Sequence, residues 1–310
     1  MAAISEHPDR PCGVRLSHLI GLVGVLLDPL IGLAITLPHF FLFRTFLRRL
    51  DTPLRRRRGV VFVLGGIEGP SLAQIRVVLG LIRGGWRGAI RVVEWNRGFP
   101  IIRPIVNLAS RARHERESDR LVDTIRAHRA AHPATTIGLV AQSGGCWVAV
   151  RALEKLAGAG EAVDAAVLIA PAISPRHDLQ RAASGSRTRL VSVHSPFDWV
   201  MLGAGTTILG TADRRWGPAA GLVGWGNAAA GGCMRREVVQ ALTWQPAWAR
   251  LGHLGGHCTS AAPGVVAKLL TPLIRAAGSL AVERTGHARL FNRIENDRAG
   301  GQSDLVVDAG

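Results

Sequence analysis

After residue 58 the chain repeats one alternation. A short apolar run, rich in β-branched residues and stopped by glycine or polar positions, gives way to a longer stretch with apolar residues three and four apart. "GVVFVLGG" (59–66), "AIRVVEWN" (89–96), "TTIGLVA" (135–141), "AAVLIAP" (165–171), "TRLVSVHS" (188–195) and "VVQALTW" (238–244) read as strands. Residues 71–85, 117–132, 144–157 and 263–274 read as helices, the last opened by Pro263. Strands that alternate with helices predict an α/β fold, a mostly parallel sheet with helices on both faces. At 310 residues the chain is long enough to bury the core such a domain needs.

Four zones follow: a polar tail at 1–18, an apolar helical segment at 19–50, the α/β domain at 59–282 and a polar tail at 283–310. No internal repeat is visible. Within the second zone, residues 19–43 ("LIGLVGVLLDPLIGLAITLPHFFLF") carry one formally charged side chain, Asp28. About 20 apolar residues suffice to cross a bilayer, so membrane contact is expected here. Pro29 and Pro38 interrupt a straight helix. A kinked span, a helical hairpin in the membrane plane and a hairpin packed on the protein's own surface therefore all fit. No A-x-A site follows, which argues against a cleaved secretory signal. Arg44, Arg48, Arg49 and Arg55 to Arg58 flank the segment on its C-terminal side, which puts the main domain on the cytoplasmic side of a membrane.

The formal charge of +16 suggests nucleic acid at first sight. Lys occurs only at Lys155 and Lys268, however, and the arginines are scattered except for Arg55–Arg58, beside the apolar segment. No groove-reading motif accompanies them, so nucleic acid is not expected as a partner. Cys12, Cys146, Cys233 and Cys258 lie far apart without a C-x-x-C pair, giving neither a disulfide framework nor a metal site.

The chemistry concentrates in "IGLVAQSGGCWVAV" (137–150), where a strand meets a helix at Ser143. At a sharp turn of this kind the serine takes a strained backbone conformation. Strand and helix pass so closely that the positions two before and two after must be small, a need that Ala141 and Gly145 meet. The Gly144 N–H, at the helix start, would point at an oxygen that becomes negative during acyl transfer. A serine hydroxyl alone is a poor nucleophile; it needs a base, and the base needs an orienting carboxylate.

With this turn in place, residues 59 to about 280 resemble the α/β-hydrolase superfamily. The superfamily's small-x-Ser-x-small elbow stands here as Ala141-Gln142-Ser143-Gly144-Gly145, with Ala where Gly is more usual. The resemblance implies a catalytic acid after the second strand beyond the elbow, which points to Asp198 in "LVSVHSPFDWV", with Asp213 in "GTADRR" in reserve. It implies a base in the loop before the last helix, where "ARLGHLGGHCTSAAPGVVAKLL" offers His257 and His253. His257, six residues before Pro263, has the more family-like spacing. Each of these residues also has a plain reading, Asp198 as a turn cap and either histidine as a hydrogen-bonded loop residue. His194, inside a strand, reads as a core residue. The second oxyanion donor is implied in "LGGIEGPS" (64–71), as the backbone N–H of Gly66 or Ile67. Glu68 could touch substrate or stand in solvent. No Lys-Ser/Thr pair follows these glycines, so a phosphate-binding Walker loop is not expected.

The resemblance thus implies a serine hydrolase that acts on a small-molecule or lipid acyl substrate without a cofactor. Acyl transfer on the same residues, and an inactive binding protein, stay open as alternatives. Residues 172–187 are too few for a helical cap. The longer excursion lies between Asp198 and His257, where Trp216 and Trp225 would suit a lipid interface.

Overall fold

The computed structural model of the chain describes residues 40–67, 72–96, 110–188, 190–226 and 239–278. It begins with helix α1 (Phe40–Leu50) and a single turn at Pro53–Arg56. Then come β1 (Val60–Leu64), α2 (Leu72–Arg83), β2 (Ala89–Val93), α3 (Arg111–Ala131), β3 (Ile137–Gln142), α4 (Gly145–Gly158) and β4 (Ala165–Ile169). They are followed by a short α5 (Gln180–Ser184), β5 (Leu190–His194) and β6 (Val239–Thr243). A final helix opens at Pro263–Val265, widens to π geometry over Val266–Leu270 and returns to α through 271–278.

The six strands pair in parallel in the order β2-β1-β3-β4-β5-β6. Alternation along each strand divides the core into two layers. Val61, Val63, Val140, Val167, Ile169 and Val193 face one side, under α1, α2 and the final helix, which add Leu50, Val78, Val266 and Ile274. Phe62, Leu64, Ile137, Leu139, Leu168 and Leu190 face the other, under α3 and α4, which add Leu121, Ile125, Val148 and Leu153. Burial on both faces is why the strands read as unbroken apolar runs. The buried carboxylate of Asp164 ties this frame together. It accepts the N–H of Ile137 at 2.7 Å and Nη2 of Arg129 at 2.9 Å, linking β3, β4 and α3.

Strand order turns back between β1 and β3: α2, after β1, covers one face and α4, after β3, the other. Such a reversal opens a crevice at the carboxyl ends of the strands. The elbow serine sits there.

Two sequence expectations change at this level, the start of one helix and the place of one tryptophan, and a third falls largely outside the described residues. Helix α3 starts at Arg111, ahead of the expected 117, because its first turns are held by charge and not by an apolar stripe. Glu115 pairs with Arg151 at 2.8 Å and with Lys155 at 3.0 Å, both on α4. Of the segment expected to contact a membrane, residues 19–39 lie outside the described residues. Beyond residue 43, α1 packs into the domain core through Phe46, Leu47 and Leu50. Among the described residues no helix is long and apolar enough to cross a membrane. Finally, Trp225 turns inward, its Nε1–H donating to Ser192 Oγ at 2.8 Å, whereas Trp216 is exposed.

Candidate active site

Ser143 follows the last residue of β3 and has φ +53°, a left-handed conformation that is costly for a residue with a Cβ. It is held there by hydrogen bonds on both sides. Its N–H donates to the Ile169 carbonyl at 2.9 Å, and its carbonyl accepts the Ala172 N–H at 3.3 Å. The turn is possible only because the next two residues lack side chains. A methyl on Gly145 would stand 2.2 Å from the Gly65 carbonyl oxygen, and one on Gly144 would stand 2.5 Å from Ile67 Cγ2.

Asp198 lies four residues beyond β5, in a turn closed by its own N–H donating to the Ser195 carbonyl at 3.2 Å. His257 lies in the loop between β6 and the final helix. Arg76 of α2 reaches under this loop, donating from Nη1 to the Cys258 carbonyl at 2.6 Å. Three strand ends thus bring three side chains into line. Ser143 Oγ is 2.9 Å from His257 Nε2, and His257 Nδ1 is 2.6 Å from Asp198 Oδ2. All three residues are buried. A carboxylate only accepts, so the Nδ1 proton faces Asp198 and the Nε2 lone pair faces the serine hydroxyl.

Around the line, Gly144 precedes the first turn of α4, and its N–H has no acceptor among the described residues. The Gly65–Ile67 loop approaches it from β1, so that the Gly144 methyl position is 3.7 Å from the Ile67 nitrogen. Trp95 and Asn96, after β2, hold this loop from behind. Trp95 Nε1–H donates to the Gly65 carbonyl at 2.9 Å and the Asn96 amide donates to the Gly66 carbonyl. In a planar trans peptide, the Ile67 N–H points away from the carbonyl that Asn96 holds. Glu68 lies outside the described residues.

The remaining candidates fall elsewhere. His253 is buried between Trp244 and Trp248, with ring centroids 6.4 and 5.9 Å away, and its Nδ1 accepts the Gly255 N–H at 3.2 Å. Burial pulls its pKa down to about 3, so it is a neutral packing residue. Asp213 accepts the Ser174 N–H and the Thr211 hydroxyl and shapes a turn. His194 pairs with Thr243 Oγ1 at 3.0 Å at the far edge of the sheet. Burial raises the Cys146 thiol well above its ordinary pKa, which leaves it unreactive. One neighbour of the line escaped the sequence reading. Gln142 Nε2 is 3.3 Å from His257 Nε2. Its place in the elbow motif was the available signal. Among the described residues, no group of three or more His, Cys, Asp or Glu side chains could hold a metal ion.

Sheet order, layers and elbow fit an α/β-hydrolase fold, in which Ser, Asp and His follow one another along the chain. No protein-family model matches the chain, and no curated protein matches it in sequence. Among solved structures it is similar to carboxyl esterase 2 of the mycorrhizal fungus Tuber melanosporum, at 13% identity and a TM-score of 0.39 over 75% of this chain and 79% of the esterase. It is also similar to lipase B of Aspergillus fumigatus, at 16% identity and a TM-score of 0.37 over 76% of this chain and 56% of the lipase.

Proposed function

We propose that the protein is a serine hydrolase that cleaves a carboxylic ester or related acyl bond. The observation behind this reading is the unbroken line from Ser143 Oγ through His257 to Asp198, at 2.9 and 2.6 Å. In the first half-reaction Ser143 Oγ attacks the acyl carbon and its proton passes to His257 Nε2. Asp198 holds the ring and stabilises the imidazolium. The developing oxyanion meets the Gly144 N–H and an amide of the Gly66–Ile67 pair. Collapse expels the alcohol, which takes the proton from Nε2. Water, deprotonated by the same nitrogen, then releases the acid and restores the serine.

A lipid acyl substrate met at a surface is supported by the apolar side chains beyond Asp198. Trp199, Ile208 and Trp216 are 64%, 73% and 63% exposed, and Val200, Met201 and Leu209 join them. A patch of this kind marks a contact surface, and Arg214 and Arg215 beside Trp216 favour anionic lipid.

Fluorophosphonate labelling tests the reaction. Ser143 is expected to be labelled, Ser143→Ala to abolish the label and His257→Ala to slow it at least about 10³-fold. A folded protein that takes no label would leave only a binding role. Sedimentation with anionic vesicles tests the surface. Trp199→Ser with Ile208→Ser is expected to release the protein, and unchanged sedimentation would remove the lipid reading.

A further inference from the structure

Beside the serine site a cleft of about 460 Å³ opens between the first turn of α3, the outer side of α4 and the 212–215 turn. Arg111, Trp147, Arg151, His177, Arg214 and Arg215 line it, with the carboxylates of Glu115 and Asp213. Of the acids nearby, Glu115 and Glu154 are paired with cations, whereas Asp213 is met by neutral donors only. Glu115 is held by Arg151 and Lys155, and Asp213 Oδ1 by the Ser174 N–H at 2.9 Å and the Thr211 hydroxyl at 2.6 Å. Glu154, behind the cleft, is shared by Arg151 and His177. Three guanidinium groups remain, and the charge of Asp213 offsets one of them, which leaves two in excess. Among the described residues, no carboxylate lies within ion-pair distance of Arg111, Arg214 or Arg215. The first turn of α3 carries no acid and Ser110 makes no side-chain cap, so the positive end of a 21-residue helix borders the same space. Arg214 takes φ +65° in its turn and stacks over Trp216 at 5.5 Å.

The cleft is close to Ser143. Trp147 is one helical turn further along α4. The 212–215 turn hangs from the elbow by two hydrogen bonds, Ala212 N–H to the Ala172 carbonyl at 2.8 Å and Ala172 N–H to the Ser143 carbonyl at 3.3 Å. Guanidinium forks match the oxygens of a phosphate, and three of them with a helix end exceed what one carboxylate can satisfy.

We infer that this cleft binds a phosphate-type oxyanion and, on the serine-hydrolase reading, that the anion is a phosphate carried by the substrate ester. A neutral ester would lack this anchor. The charged ester is held by the cleft with its acyl carbon toward Ser143.

Calorimetric titration of the full chain with inorganic phosphate at low salt tests the cleft. Saturable binding is expected, weakened about tenfold or more for each guanidinium removed in Arg214→Gln and in Arg214→Gln with Arg215→Gln. Arg87→Gln, an exposed charge away from the cleft, is expected to bind like the wild type. No saturable binding, or equal binding by a double variant with native circular dichroism, would overturn the site. Paired esters of one acyl chain, with and without a phosphate on the alcohol, test the source of the anion. If the substrate carries it, the ratio of kcat/KM for the charged over the neutral ester falls at least about tenfold in the double variant, and free phosphate competes. A ratio that stays at its wild-type value, with phosphate changing both rates alike, would overturn the substrate clause and make the anion a free effector. Phosphate binding by a protein that fluorophosphonate cannot label would end the hydrolase reading and keep the cleft.

Discussion

Gly145 approaches Gly65 so closely that a methyl group added to it would lie 2.2 Å from the Gly65 carbonyl oxygen. The obstacle is backbone on both sides, so no side-chain rotation relieves it. Gly145→Ala is expected to cost about 3 kcal/mol or more of stability, and to lower kcat by separating the elbow from the Gly65–Ile67 loop. Urea unfolding and ester turnover would measure the two effects, and a stable, fully active Gly145→Ala would contradict this packing.

Ser143, at φ +53°, stores strain that glycine would not feel. The left-handed conformation costs a residue with a Cβ about 1–2 kcal/mol, partly offset by the greater freedom of glycine in the unfolded chain. Ser143→Gly is therefore expected to be more stable than Ser143→Ala by about 1 kcal/mol, both being inactive. Thermal melts of the two variants decide it.

Asp198→Asn keeps the shape of the site but presents an amide donor to His257 Nδ1, which favours the tautomer with its proton on Nε2. That proton would point at Ser143. A fall in kcat on the order of 10⁴-fold with an unchanged fold is expected. A loss below tenfold would remove Asp198 from the reaction.

Among the described residues, Asn96 meets the candidate site through the Gly66 carbonyl. Asn96→Ala is expected to lower kcat about tenfold to a hundredfold while KM moves little, because the amides it orients meet charge only in the transition state. A change confined to KM would instead place Asn96 in substrate binding.

The His253 ring, with a pKa of about 3, is neutral in the folded protein, while in the unfolded chain it protonates near 6.5. Between those values the unfolded state binds the extra proton. Stability is therefore complete above about pH 6.5 and falls as pH drops toward 3, by up to about 1.4 kcal/mol per unit from this residue. His253→Gln should flatten the dependence of the urea midpoint on pH between 6.5 and 4. Equal slopes in variant and wild type would assign the acid sensitivity to other groups.

The strands were legible because parallel strands covered on both faces must be apolar throughout, as in "VVFVL" and "AAVLI". The elbow was legible because its geometry restricts neighbouring residues to small ones. The two loop histidines were not separable by spacing alone. What distinguishes them is tertiary: the ring of His253 is enclosed by Trp244 and Trp248, while that of His257 reaches Asp198. Asn96, Arg76 and Gln142 went unnoticed because nothing in local periodicity tells which distant backbone or ring a polar side chain will meet. The start of α3 was hidden for a related reason, its first turns being secured by pairing with α4. The apolar patch after Asp198 lies on short helical pieces, Val200–Gly205 and Thr206–Leu209, whose glycines and small residues leave no periodic stripe to read.

Among the described residues β6, the strand before His257, is an outer edge of the sheet and the last strand along the chain, so on the serine-hydrolase reading the nucleophile precedes its base in synthesis. On that reading, the hydroxyl therefore gains its base only once β6 and the loop after it have docked and set the His257 ring against Ser143.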